Sequence, residues 1–152
     1  MILLAKPNKS PFLRFLFLLY CGWMIYLLFF GTRQPDYQNY WAQIEGNYST
    51  KPFYTIRNYM RVLQHSSNGD LVRHCAINLI GNILLFIPGG FFLPKIFRRL
   101  RPFWRFLLLS FSLLVLIECT QLFSLRGRLD VDDLILNLIG LNLGYIFYKI
   151  IK

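Results

Sequence analysis

The chain has 152 residues, of which 55% are AVILMFWYC and only 16% are charged. A soluble domain carries about 25% charged residues, and its apolar share runs lower. The charges are also lopsided, with 17 Lys+Arg against 7 Asp+Glu and a formal net charge of +10. So much Leu, Ile and Phe excludes disorder, and three cysteines are too few, and odd in number, for a disulfide scaffold. The length suits one domain over residues 1–152.

Four apolar runs follow in chain order. Residues 12–30 carry one charge, Arg14 at the leading edge, and residues 75–93 carry none. Residues 103–125 hold Arg105 at one end and Glu118 deep inside. Residues 131–151 open on Asp132 and Asp133 and then stay apolar except at Asn137, Asn142 and Lys149. A helix crossing hydrocarbon needs about 20 mainly apolar residues, and all four runs qualify. The expected fold is therefore all-α, a polytopic integral membrane protein with four transmembrane helices. The first run is read as a retained span, because Gly31-Thr32-Arg33 offers no small-x-small cleavage site.

Orientation follows from the cations. Lys6, Lys9 and Arg14, the linker 94–102 with its neighbour Arg105, and the C-terminal Lys149 and Lys152 share one side. That side holds ten cations and no acid. The outer loop 31–74 and the short turn at 126–133 hold seven cations and six acids. The positive-inside rule then places both termini and the 94–102 linker in the cytoplasm. Nucleic-acid binding is excluded as the use of this charge, since the cations clump at helix ends and form no basic face. Anionic lipid headgroups are a second use of the linker cluster.

Within the outer loop, Phe53, Ile56, Met60 and Leu63 recur at helical spacing among Arg57, Asn58, Arg61 and Gln64. Such a segment either lies in the interface or between the helices, or forms a small cap packed on itself.

Polar groups inside hydrocarbon are costly, and here they share one depth. Asn78 and Asn82 fall on one face of the second helix, Glu118 and Gln121 on one face of the third. Asp130, Asp133 and Asn137 follow one stripe of the fourth. At 1.5 Å per residue the intramembrane members lie about 5–10 Å below the outer helix ends, with Arg126 and Arg128 above them. Nine residues thus form a candidate ligand site: Asn78, Asn82, Glu118, Gln121, Arg126, Arg128, Asp130, Asp133 and Asn137. Simpler roles exist for each part. Intramembrane Asn bridges helices, and Asp130, Asp132 and Asp133 suit a helix N-terminus. Glu118 is the hardest to dismiss, and an arginine–carboxylate network is favoured over a divalent cation held by Glu118, Asp130 and Asp133. No metal site or cofactor motif is assigned. Gly140 and Gly144 read as a close helix contact, and Pro88-Gly89-Gly90 as a kink, since Pro88 frees the carbonyl of Leu84. Arginines, amides and a carboxylate just under the outer surface suit a phosphate- or sugar-bearing lipid headgroup.

The runs NLIGNILLFIPGGFFLP (78–94), IECTQ (117–121) and RGRLDVDDLILNLIGLNLGY (126–145) resemble the VanZ-like family of bacterial membrane proteins. Asn78, Asn82, Phe86, Pro88 and Gly90 read as its first motif, Glu118 and Gln121 as its second. Asp130, Asp132, Asp133, Asn137, Gly140 and Gly144 read as its third, and Pro52, Phe53 and Ile56 as its Pro-Phe-x-x-Ile segment. The chain departs from the pattern at Arg126 and Arg128, which straddle the place of a single family arginine, and at Thr50 and Lys51. The resemblance implies a multi-pass protein of the bacterial cytoplasmic membrane with a link to teicoplanin-type glycopeptide resistance.

Three function classes follow. The first is a binding protein in the lipid bilayer whose outer pocket engages an envelope lipid, a lipid-linked wall precursor or a lipoglycopeptide. The second is an enzyme modifying such a lipid, disfavoured because no nucleophile with an adjacent base is visible. The third is a small transporter subunit, for which no inverted repeat is evident.

Overall fold

A computed structural model describes residues 11–30 and 37–152. Helix α1 spans Pro11–Phe29, α2 Tyr40–Gly46, α3 Tyr54–His65, α4 Gly69–Ile96, α5 Phe103–Phe123 and α6 Val131–Ile151. Strand β1, Tyr48–Ser49, pairs in parallel with β2, Leu129–Asp130. A 3-10 turn at Arg98–Leu100 links α4 to α5. Helices α1, α4, α5 and α6 are long and apolar enough to cross a membrane, and the fold is all-α and polytopic. Lys6, Lys9, Arg33 and Asp36, which entered the charge count, lie outside the described residues.

The helix ends follow local chemistry. Helix α4 starts at Gly69, earlier than the apolar run, because the Asn68 side chain accepts from the amides of Asp70 and Leu71, both at 3.1 Å. Asp130 caps α6 by accepting from the Asp132 amide at 2.9 Å. Helix α5 ends where Leu125 takes a left-handed backbone, φ 54°. The amides of Arg126 and Gly127 then return to the Gln121 carbonyl at 3.1 and 3.2 Å. Helix α4 runs unbroken through Pro88 and Pro94.

Helices α4 and α6 run side by side in the same direction and form the main packing pair. Their backbones touch at glycines. A Cβ on Gly140 would strike the Ile83 carbonyl oxygen, one on Gly144 the Ile87 carbonyl oxygen, and one on Gly90 that of Leu141. In lipid, where apolar side chains gain nothing by leaving water, such close approach supplies the van der Waals contact that holds helices together. Helix α1 docks on this pair through Tyr20, whose hydroxyl donates to the Leu85 carbonyl at 3.0 Å, about one turn before Pro88. Met24, Phe86, Phe106, Leu114, Leu141 and Tyr145 form the core, with the Phe106 and Tyr145 rings stacked at 4.5 Å. Facing away from it, Leu18, Trp23, Ile80, Leu108, Leu116 and Ile150 are exposed, an apolar surface that requires a lipid solvent.

The two ends of the bundle differ. One gathers α2, α3, the β1–β2 pair, the last turns of α1 and α5 and the first turns of α4 and α6, with every described acidic residue. We call it the acidic end. The other holds the α4–α5 linker and the end of α6, and no acid occurs between residues 71 and 117 or after 133. This is the basic end.

Candidate functional site

The first turn of α6 organises the acidic end. Asp132 is wholly buried, 0% exposed. Its two carboxylate oxygens accept from the backbone amides of Phe53 and Ile56, the leading amides of α3. That helix lacks a capping side chain, and Phe53 before it has a left-handed backbone, φ 61°. A carboxylate at a helix N-terminus satisfies the orphan amides and the positive end of the helix dipole together. Asp130 completes the clamp. It accepts from the Thr55 hydroxyl at 2.6 Å, and its own amide donates to Glu118 Oε2 at 3.1 Å. The β1–β2 pairing then fixes the chain before α3 against the chain before α6, with the Leu129 amide donating to the Asn47 carbonyl at 3.0 Å.

Helix α3 therefore docks across the ends of α4 and α6. Its inward face includes Ile56, Tyr59 and Leu63, whereas Phe53 and Met60 of the expected apolar stripe are exposed. Burial pushes the Tyr59 phenol above its ordinary value of 10.0, and the negative charges of Asp133 and Asp130 add to this while Arg128 opposes it. The His74 ring lies edge-on to Tyr59 at 6.5 Å.

Of the nine candidate residues, the structure brings some together and not others. Asn82 Nδ2 donates to Asp133 Oδ1 at 2.7 Å, joining α4 to α6. Glu118, 4% exposed, meets Asp130 from α5. Asn137, 3% exposed, lies one turn below Asp133 with its Oδ1 unpartnered. Gln121 instead donates to the Leu28 carbonyl at 2.9 Å and ties α5 to the end of α1. Asn78 turns back on its own helix, donating to the His74 carbonyl at 2.9 Å.

The expected arginine–carboxylate network does not form among the described residues. Arg126 lies over the Phe30 ring, 5.3 Å from its centroid, Arg128 is exposed, and neither pairs with a carboxylate among the described residues. The physical reason is that backbone amides and the Thr55 hydroxyl reach Asp130 and Asp132 first, and Asn82 reaches Asp133. Among the described residues no three His, Cys, Asp or Glu side chains form a metal-holding group. Asp132, Thr55 and Tyr59 were missed as members of this centre. Asp132 carried a signal, since it lies among three acids at a helix start. Thr55 and Tyr59 carried none, because nothing local couples residue 55 to residue 130.

Below the polar cluster, toward the basic end, a cavity of about 340 Å3 opens between α1, α4, α5 and α6. Met24, Leu28, Phe86, Leu114, Ile117 and Leu141 line it, with no polar surface. The helical register stacks the two features. Asn82 is one turn above Phe86, Gln121 one turn above Ile117, and Asn137 one turn above Leu141. Gln121 donates to the carbonyl of Leu28, a residue of the cavity wall, and its own carbonyl accepts from the amide of Arg126, whose guanidinium lies over Phe30. Ser110 also lines the cavity, buried at 1% exposure, with its hydroxyl unpartnered.

Residues 17–152 match the family model described as VanZ/LLP1, which is nearly the whole chain. No curated protein and no solved structure matches it.

Proposed function

The chain belongs to the VanZ/LLP1 family, and we propose that it binds a phosphate-bearing lipid of the bacterial envelope at the acidic end. The acyl chain enters the cavity between α1, α4, α5 and α6, and the headgroup meets Arg126, Arg128, Gln121 and the Asn82–Asp133–Asn137 cluster above it. The observation that carries this reading is the stacking of an apolar cavity directly under a polar cluster. The missing arginine–carboxylate pairs support it as well. With the carboxylates engaged by backbone amides, neither Arg126 nor Arg128 forms a salt bridge with an acid among the described residues, and arginine is suited to phosphate.

By the positive-inside rule the acidic end faces the outer leaflet of the cytoplasmic membrane and both termini are cytoplasmic. The ligand is then an envelope lipid or a lipid-linked wall precursor. A lipoglycopeptide offers the same pairing of acyl chain and polar head, so lowered sensitivity to teicoplanin-type compounds is a consequence that a susceptibility assay reads.

Native mass spectrometry of the detergent-purified full chain tests the reading. The wild type should retain one tightly held phospholipid, and Arg126→Gln should weaken its retention about tenfold, the worth of one charge-assisted hydrogen bond. Equal retention by both proteins would contradict the assignment. A labelled envelope lipid converted to a new product would establish an enzyme instead.

A further inference from the structure

At the basic end, far from the site just described, a second cavity of about 240 Å3 is lined by Phe91, Lys95, Arg101, Tyr148, Ile151 and Lys152. Three of these side chains are cationic, one is a phenol, and no acidic side chain occurs between residues 71 and 117 or after 133, the stretches that contain this end. Two polar atoms are buried here without a hydrogen-bond partner among the described residues, Arg101 Nε and Tyr148 Oη. Tyr148 is 5% exposed. Burying a donor unpaired costs roughly as much as a lost hydrogen bond, so two at one cavity point to an acceptor that belongs there.

The surrounding contacts position the Arg101 backbone and the Tyr148 ring. The Tyr145 hydroxyl donates to the Arg101 carbonyl at 2.6 Å and pins the linker to α6. The Tyr148 ring packs on Tyr145 with centroids 6.2 Å apart. Lys95 rests over the Phe91 ring, 4.6 Å from its centroid, at the cavity edge. A guanidinium and a hydroxyl at the wall, together with two ammonium groups, match the oxygens and charge of a phosphate. Phe91 and Ile151 supply an apolar flank.

We infer that the cavity between the α4–α5 linker and the end of α6 binds a phosphate group, held by Arg101, Tyr148, Lys95 and Lys152. The phosphate belongs either to an anionic phospholipid of the adjoining leaflet or to a free phosphate compound. The linker cations are then a binding site as well as a topology signal.

Lysine acetylation mapped by peptide mass spectrometry tests this on the full chain in maltoside micelles. Short-chain phosphatidylglycerol should slow acetylation of Lys95 and Lys152 about tenfold and leave Lys51 and Lys149 unchanged. Arg101→Gln should abolish that protection. Tyr148→Phe, which removes only the hydroxyl, should weaken it about threefold. Arg105→Gln, a linker cation outside the cavity, and Arg126→Gln at the other end should retain it. Protection by inorganic phosphate at matched concentration would keep the site and assign the free compound as its source. Protection that is absent with both ligands, that spreads equally to Lys149, or that survives Arg101→Gln would overturn the inference.

Discussion

At the scale of single residues, Asp132 is the most consequential side chain of the acidic end. It holds the start of α3 through two amides, from a position with no exposure to solvent. Asp132→Asn turns one acceptor into a donor that faces an amide, a change that costs about 2 kcal/mol. Helix α3 should detach, and trypsin should cleave after Arg57 and Arg61 at least about tenfold faster than in the wild type. Asp70→Asn, at an exposed pair with Arg73 at 3.4 Å, should leave cleavage unchanged. Tyr59 adds a pH dependence. Its folded value is raised above 10.0, chiefly by burial, so the stability it contributes is complete below pH 10 and is lost as pH rises through the folded value. Cleavage of α3 should therefore accelerate above pH 10 in the wild type, and Tyr59→Phe should remove that acceleration. The sequence showed that Asp130, Asp132 and Asp133 begin a helix, and all three do. It did not show that Asp132 serves a helix nearly eighty residues away, because that contact depends on where the 37–68 segment lies.

At the scale of elements, the α4–α6 pair carries the architecture, and its glycines set the distance between the two backbones. Gly90→Ala forces a methyl into the Leu141 carbonyl. Overpacking of this kind costs roughly 1–3 kcal/mol, which should appear as a lower melting temperature in detergent. Gly22→Ala on α1 meets nothing within 4 Å and should not lower it. The four long helices were legible from the sequence, because an apolar run of their length has few other uses. Their glycine contact was legible too, through the Gly140-x-x-x-Gly144 spacing. The β1–β2 pairing was not. Two residues of strand leave no periodicity, and their partners are remote in sequence. The i, i+4 spacing of Asn78 and Asn82 placed both on one face, yet only Asn82 reaches Asp133, while Asn78, one turn above it, donates to the His74 carbonyl of its own helix.

At the scale of the molecule, the chain is polarised. Its acids gather at one end around the clamp on α3, and its basic linker lies at the other. The surplus of positive charge lies with the basic end, and the few acids are used for structure more than for ion pairing. Between the ends, an apolar cavity lies one helical turn beneath the polar cluster. The depth at which polar residues accumulate was visible from register alone, but the cavity depends on the placement of α1, which no sequence pattern specified. Our central claim is that cavity and cluster are two halves of one lipid site. The most direct test is photocrosslinking in proteoliposomes, with a phospholipid that carries a diazirine near the end of its acyl chain. The account predicts adducts concentrated at Met24, Phe86 and Leu114 inside the cavity, and their loss in Ser110→Phe, which fills it. Adducts confined to the outward-facing Trp23, Leu108 and Leu116, and unaffected by Ser110→Phe, would contradict it.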